Sequence, residues 1–184
     1  MRPLPRFASV ALAARCAELL GSSVDALWQH VPEPDQQLCQ SAITGAVQTA
    51  KTGQKSDSLG AIANEITMLV GTFVIHLHGY PPAGKRLPES VTSLEGEQIQ
   101  TIQIIIDLAA RAARAATASS VENAFDECRD GVSWSYSLVR DWGDHDLEDE
   151  LTGMIRSLYE CCDALHLSDD SKVWWTGYDW NAKR

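Results

Sequence analysis

The chain has 184 residues, 45 % apolar and 22 % charged, with a formal net charge of −10 and a pI near 4.8. Those values suit one globular domain that buries about 70 % of its unfolded surface. They speak against a nucleic-acid binder, which carries a basic face, and against an anionic membrane surface as partner.

The charge is uneven. Residues 1–117 hold 10 acids and 9 bases, a balance of −1, whereas residues 118–184 hold 15 acids and 6 bases, a balance of −9. Five cysteines (Cys16, Cys39, Cys128, Cys161 and Cys162) are an odd number with no C-x-x-C spacing, and four of them fall on apolar stripes. Reduced thiols in a cytoplasmic protein are the expectation. The longest uncharged run, Ile66 to Gly84, is broken by prolines, glycines and histidines. Its apolar part is about 12 residues against the roughly 20 of a membrane span, so no spanning segment is expected. The N-terminus carries Arg2, Arg6 and Arg15 before its first acid, Glu18, and faintly resembles a transit peptide. An ordinary first helix is the preferred reading.

In chain order, Arg6 to Leu20 reads as a helix with Phe7, Val10, Ala11, Ala14 and Ala17 on one face, closed by Gly21. A short helix follows, capped by Ser22 or Ser23 and stopped by Pro32. Pro34 opens a third, with Leu38, Ala42, Ile43, Ala46, Val47 and Ala50 as its stripe and Gly53 at its end. Leu59 to Leu77 reads as a fourth helix, capped by Ser56 or Ser58. Its end, TFVIHL, is rich in β-branched and aromatic residues, which leaves a strand as the secondary reading there. GYPPAGKRLPES is a loop. The stretch 97–118 is apolar nearly all round through Ile99 to Ala109 and then turns to alanine, which predicts a buried central rod with a close helix crossing. Thr92 with Glu95, and Ser119 with Glu122, fit capping boxes. Val121 to Arg140 and Leu147 to Leu165 are amphipathic helices. The last residues, SKVWWTGYDWNAKR, are aromatic and not helical in pattern. The expected fold is all-α: one domain of six or seven helices around the rod, with a non-helical aromatic tail.

Several motifs invite chemistry. Gly79 to Lys85 matches G-x-x-x-x-G-K, and Ile104 to Asp107 looks like an apolar strand ending in a magnesium-binding acid. Over these two pieces the chain resembles P-loop nucleotide-binding proteins. It departs from them in three ways. Arg86 stands where Ser or Thr holds magnesium, Pro81 and Pro82 lack the N–H groups that cradle phosphate, and Pro88 disrupts the helix that should follow. His76 and His78 share a face only on a strand. Asp163-x-x-His166 has the spacing of a dimetal bundle but occurs once. His145-Asp146 is the dipeptide of metal-dependent phosphohydrolases without that family's other ligands in clear positions. A small nucleotide- or metal-dependent enzyme using the Gly79–Arg86 loop with His76 and His78 is therefore the alternative reading. No serine or cysteine nucleophile motif is present, and no cofactor or metal is expected.

The leading reading rests on the acidic turn. Six acids (Asp141, Asp144, Asp146, Glu148, Asp149 and Glu150) fall within residues 141–150, with Trp142 among them. The tail adds Trp174, Trp175, Tyr178 and Trp180, which either fold back onto the bundle or form an exposed patch. Acids steer and discriminate, and an aromatic residue anchors. The expectation is a non-enzymatic cytoplasmic interaction module that binds a basic protein through Asp141, Trp142, Asp144, Asp146, Glu148, Asp149, Glu150, Trp174 and Trp175. In composition alone the chain resembles small acidic bacterial immunity and antitoxin proteins, which cover a basic toxin's active site.

Overall fold

The computed structural model describes residues 1–79, 86–177 and 179–183. Among them it contains α1 (Arg6–Ser22), α2 (Asp25–Trp28), α3 (Glu33–Thr52), α4 (Leu59–Leu77), α5 (Glu89–Thr92), α6 (Gly96–Thr117), α7 (Val121–Trp142) and α8 (His145–Ala164). An antiparallel hairpin follows, β1 (Lys172–Thr176) with β2 (Asp179–Lys183). The protein is an all-α bundle with a small two-stranded addition. The helix count exceeds the expected six or seven because α5, a single turn beginning after Pro88, falls where the proline-rich composition predicts a loop. TFVIHL is the last part of α4 and not a strand.

Two helices form the centre. The rod α6 is buried from Ile99 through Ala116, with Ile102, Ile106, Ala110, Ala112, Ala113, Ala115 and Ala116 fully enclosed. Helix α1 is buried just as thoroughly: Ala8, Val10, Ala11, Leu12, Ala14 and Cys16 are 0 % exposed. It is therefore an inner helix, not the one-faced helix that the spacing predicts. Alanine on both helices allows close approach, and each small side chain still loses its whole surface to water. Arg6 reaches the carbonyl of Ala118, while Ala17 shares a cleft with Ile105 and Ala109, so α1 and α6 run antiparallel.

The remaining helices cover this pair. Helix α7 returns along α6, joined through Arg111 and Arg114. Arg111 bonds Asp107 at 2.8 Å, Glu127 at 3.2 Å and Asp130 at 3.3 Å; Arg114 bonds Glu127 at 3.0 Å and Thr67 of α4 at 2.9 Å. These side chains are mostly shielded from solvent, and each arginine fork is shared among carboxylates, so the cluster ties three helices at one level. Asp107 is thereby an ion-pair partner on a helix and not the end of a magnesium-binding strand.

Helix ends are closed by local chemistry. Ser120 accepts from the Asn123 N–H at 3.1 Å to cap α7. Glu95 and Gln98 form the capping box of α6, three residues along from the predicted Thr92 start. At the other end of α6 the Lys55 ammonium donates to the carbonyls of Thr117 (3.2 Å) and Ala118 (2.7 Å) beside Arg6, so two cations meet the negative end of the helix dipole. Burial, then the neighbouring Arg6, lowers the Lys55 pKa.

The tail is a hairpin docked on α1, α3 and α8. Strand alternation puts Val173, Trp175, Trp180 and Ala182 on the inner face and Trp174 on the outer one. Val173 is fully buried. Two residues separate the strands, and the first, Gly177, has φ +62, a conformation that glycine adopts without strain.

Because Ala112 is fully enclosed, Ala112→Leu is expected to destabilise the protein by about 1–3 kcal/mol through overpacking. Ile106→Ala should cost about 2–5 kcal/mol through the cavity it leaves. Urea unfolding of both variants checks this; midpoints equal to the wild type would contradict the close packing.

Candidate functional site

The acidic turn is built as a corner. Helix α7 ends in paired bonds, Gly143 N–H to the Arg140 carbonyl (3.0 Å) and Asp144 N–H to the Val139 carbonyl (3.3 Å), with Gly143 at φ +67. Asp144 then caps α8 by accepting from the Leu147 N–H at 3.0 Å. Asp146 and Glu148 lie in the first turn, where negative charge suits the dipole, and Glu148 also pairs with Arg140 at 2.9 Å. Three of the six acids thus serve the start of the helix. Asp141, Asp146 and Asp149 are exposed, and together with Glu150 they have no hydrogen-bond or ion-pair partner among the described residues.

The nine predicted residues do not form one surface. Trp142 leans onto the first half of α6 and lines a cleft of about 340 Å³. Ile104 and Leu138 give the cleft apolar surface, Gln100 and Thr101 give polar atoms, and Glu97 and Asp141 are its two acids. Glu150, one turn into α8, faces elsewhere. It joins Met154, Ser157, Arg15, Trp175 and Trp180 around a second cleft of about 220 Å³ beneath the hairpin. Trp174 lies on the opposite face of the hairpin, where the Lys183 ammonium sits 5.6 Å from its ring. The aromatic tail therefore folds back, and Trp174 and Trp175 cannot act as one patch. Tyr178 lies outside the described residues.

Sequence reasoning missed a third concavity, about 290 Å³ between α1, α2, α3 and α6. Cys39, Ile43, Ile105 and Ala109 supply apolar lining, Trp28 an aromatic wall, and Glu18 and Asp25 charge. The tryptophan beside an acid in VDALW was the available signal, obscured because the helix is one turn long. It adjoins the hairpin cleft: Glu18 pairs with Arg15 at 2.6 Å and accepts from the Trp175 indole at 3.1 Å.

Of the alternative site, the structure describes the flanks and the two histidines. Residues 80–85 of the glycine-lysine loop lie outside the described residues. Of its expected flanks, the preceding strand is α4 and the acid-bearing strand is α6, so no strand leads into a phosphate loop. His76 and His78 sit at a helix end two residues apart and point different ways round the axis. Asp163 pairs with Arg2 at 2.5 Å. Among the described residues no three His, Cys, Asp or Glu side chains converge as metal ligands. Helix α4 has one further property. Its 19 residues are long and apolar enough to cross a membrane by length and composition, yet only 22 % of that stretch is buried and Met68, Val74 and Ile75 face solvent. This apolar stretch is longer than the Ile66 run suggested, because the single charge at Glu65 interrupts it without ending it.

All five cysteines are free thiols. Burial pushes the Cys16 and Cys39 pKa values up from 9.0 to about 12 and that of Cys162 to about 11, and it raises Cys128 and Cys161 as well. A thiol whose folded pKa exceeds its unfolded value contributes stability that is complete below pH 9 and is lost as pH rises toward about 12. Thiolate absorbance of the native protein should therefore rise well above the pH at which the urea-unfolded chain titrates. A native curve superimposed on the unfolded one would contradict the enclosed thiols. In comparisons with known proteins, the chain matches no family model, no curated protein and no solved structure.

Proposed function

We propose that this protein is an interaction module whose acidic α7–α8 corner docks a basic protein. The observation that carries the reading is the Trp142 cleft with its two acids, Glu97 and Asp141; Asp146 and Asp149 at the start of α8 add exposed carboxylates. A lysine or arginine side chain has an aliphatic stem and a cationic head. The stem suits Ile104, Leu138 and Trp142, and the head suits Glu97 and Asp141. The carboxylates outside the cleft would speed association by steering, and the indole would hold the complex. Neutralisation of a basic toxin is one form such binding takes. Free, mostly buried thiols suit a cytoplasmic setting.

The test is affinity capture from the native host's lysate, washed at low and at high salt, with retained proteins identified by mass spectrometry. The expected result is a basic protein held at low salt and released at high salt. It should be lost, or associate at least tenfold more slowly, with the combined variant Glu97→Gln, Asp141→Asn, Asp146→Asn, Asp149→Asn. An empty capture, or a partner indifferent to both salt and the variant, overturns the reading. Asp144 separates structure from docking. Asp144→Ala removes a helix cap worth about 1 kcal/mol and should lower Tm by about 2–4 °C. The four-residue variant should leave Tm near the wild-type value.

A further inference from the structure

The cleft beneath the C-terminal hairpin has a lining that no part of the docking reading uses. Trp175 and Trp180 are directly opposed cross-strand partners on the inner face, with ring centroids 5.8 Å apart and planes at 70°. Both indole N–H groups already have acceptors. Trp175 donates to Glu18 at 3.1 Å, and Trp180 donates to the Met154 carbonyl at 3.1 Å. These bonds fix both rings and leave their π-systems as what they offer a ligand. The Glu150 carboxylate lines the same space and has no partner among the described residues.

We propose that this cleft binds a methylated ammonium group. Two indoles meeting at a steep angle, with a carboxylate beside them, attract a cation through the ring quadrupoles and through charge. Trp175 already carries one cation: the Arg15 guanidinium lies 5.9 Å from its ring, and Glu18 neutralises that guanidinium at 2.6 Å, so Arg15 does not oppose a second cation. The lining also discriminates among cations. A bare lysine ammonium brings three N–H donors and a tight hydration shell. Against them the cleft side chains set one free carboxylate and the Ser157 hydroxyl; the other contacts are the two indoles, the Met154 thioether, Gly153 and the Arg15 guanidinium, which has donors of its own and no acceptor. Desolvating unmet donors is unfavourable. A trimethylammonium group has no donors, keeps its charge and presents methyl groups to the rings. A volume of about 220 Å³ leaves room for such a head and the start of its chain. The group comes either from a small quaternary amine or from a trimethylated lysine of a protein. This inference stands apart from the α7–α8 corner and survives if that surface has no partner.

The test is isothermal titration at constant ionic strength with four probes. They are choline, its uncharged isostere 3,3-dimethylbutanol, a peptide bearing trimethyllysine, and the same peptide unmodified. The expected result is that a charged, methylated probe binds at least tenfold more tightly than its counterpart. Choline binding assigns a small amine, and binding by the trimethyllysine peptide alone assigns a protein side chain. Glu150→Gln, with an unchanged melting curve, should weaken binding about tenfold. Trp174→Phe, on the outer face of the hairpin, should leave it unchanged. The proposal is overturned if neither methylated cation binds, if the uncharged isostere binds as well as choline, or if Glu150→Gln has no effect.

Discussion

The close antiparallel contact of α1 with α6 is the constraint from which the rest of the arrangement follows. Both helices present alanine where most helices present leucine, and those alanines are wholly enclosed. A small-residue seam gains little per side chain from transfer out of water, so its stability depends on two backbones lying close over many turns. Once they do, the larger residues of α6, Ile99 to Leu108, must find partners on other helices. α3, α4 and α7 supply them. The C-terminal part of α6 is held electrostatically, by Arg6 and Lys55 on its last carbonyls and by the Arg111–Arg114 cluster that ties α7 and α4 to the rod. The paired arginines lie within the buried alanine run of α6, between Ala110 and Ala115. There a shift of α7 would break several charge-assisted bonds together.

The same economy separates structural from available charge in the acidic lobe. A run of six acids in ten residues reads as one feature, but the backbone divides it. Asp144 is a cap, Glu148 is held by Arg140, and Glu150 is carried round α8 to the hairpin. Asp141 faces the α6–α7 groove with Trp142. A helix advances about 100° per residue, so neighbours in sequence at 148, 149 and 150 address three different surroundings. Acid density in sequence is therefore a poor measure of acid density at a site. The informative carboxylates are those that fold into a concave wall without a partner.

Much of the helical architecture was legible. The three- and four-residue spacings of α3, α4, α7 and α8 give the observed inner faces; Phe125, Cys128, Val132 and Val139 of α7 are all buried. Helix α1 was read as one-sided because alanine carries little hydrophobic weight, so Ala8, Ala13 and Leu12 did not register as a second buried face. The helix over Leu59 to Leu77 is observed with the expected bounds: β-branched residues in TFVIHL fit a strand in isolation, but Ile66 and Phe73 complete a helical stripe that reaches the core. The hairpin was visible in principle. Val173 and Trp175, then Trp180 and Ala182, alternate with period two around a glycine. The cluster of tryptophans drew the reading toward aromatic content and away from alternation. That alternation decides which rings face the bundle, and so it separates Trp174 from Trp175.

A two-stranded hairpin is marginal by itself in water. This one owes its order to what lies beneath it: Val173 in the core, the Trp175 bond to Glu18 of α1 and the Trp180 bond to the Met154 carbonyl of α8. The hairpin therefore docks as a lid whose inner face is also the wall of the cleft it covers. Any ligand that binds between Glu150 and the two indoles must favour the docked hairpin over the loosened one, because only the docked form presents both rings. Ligand affinity and hairpin order are then linked quantities. Glu18, which holds the Trp175 indole and does not line the cleft, contributes to the site without touching what enters it. An otherwise helical protein has in this way acquired a rigid aromatic surface, since opposed strand residues hold two rings at a fixed angle and a single helix has no equivalent arrangement.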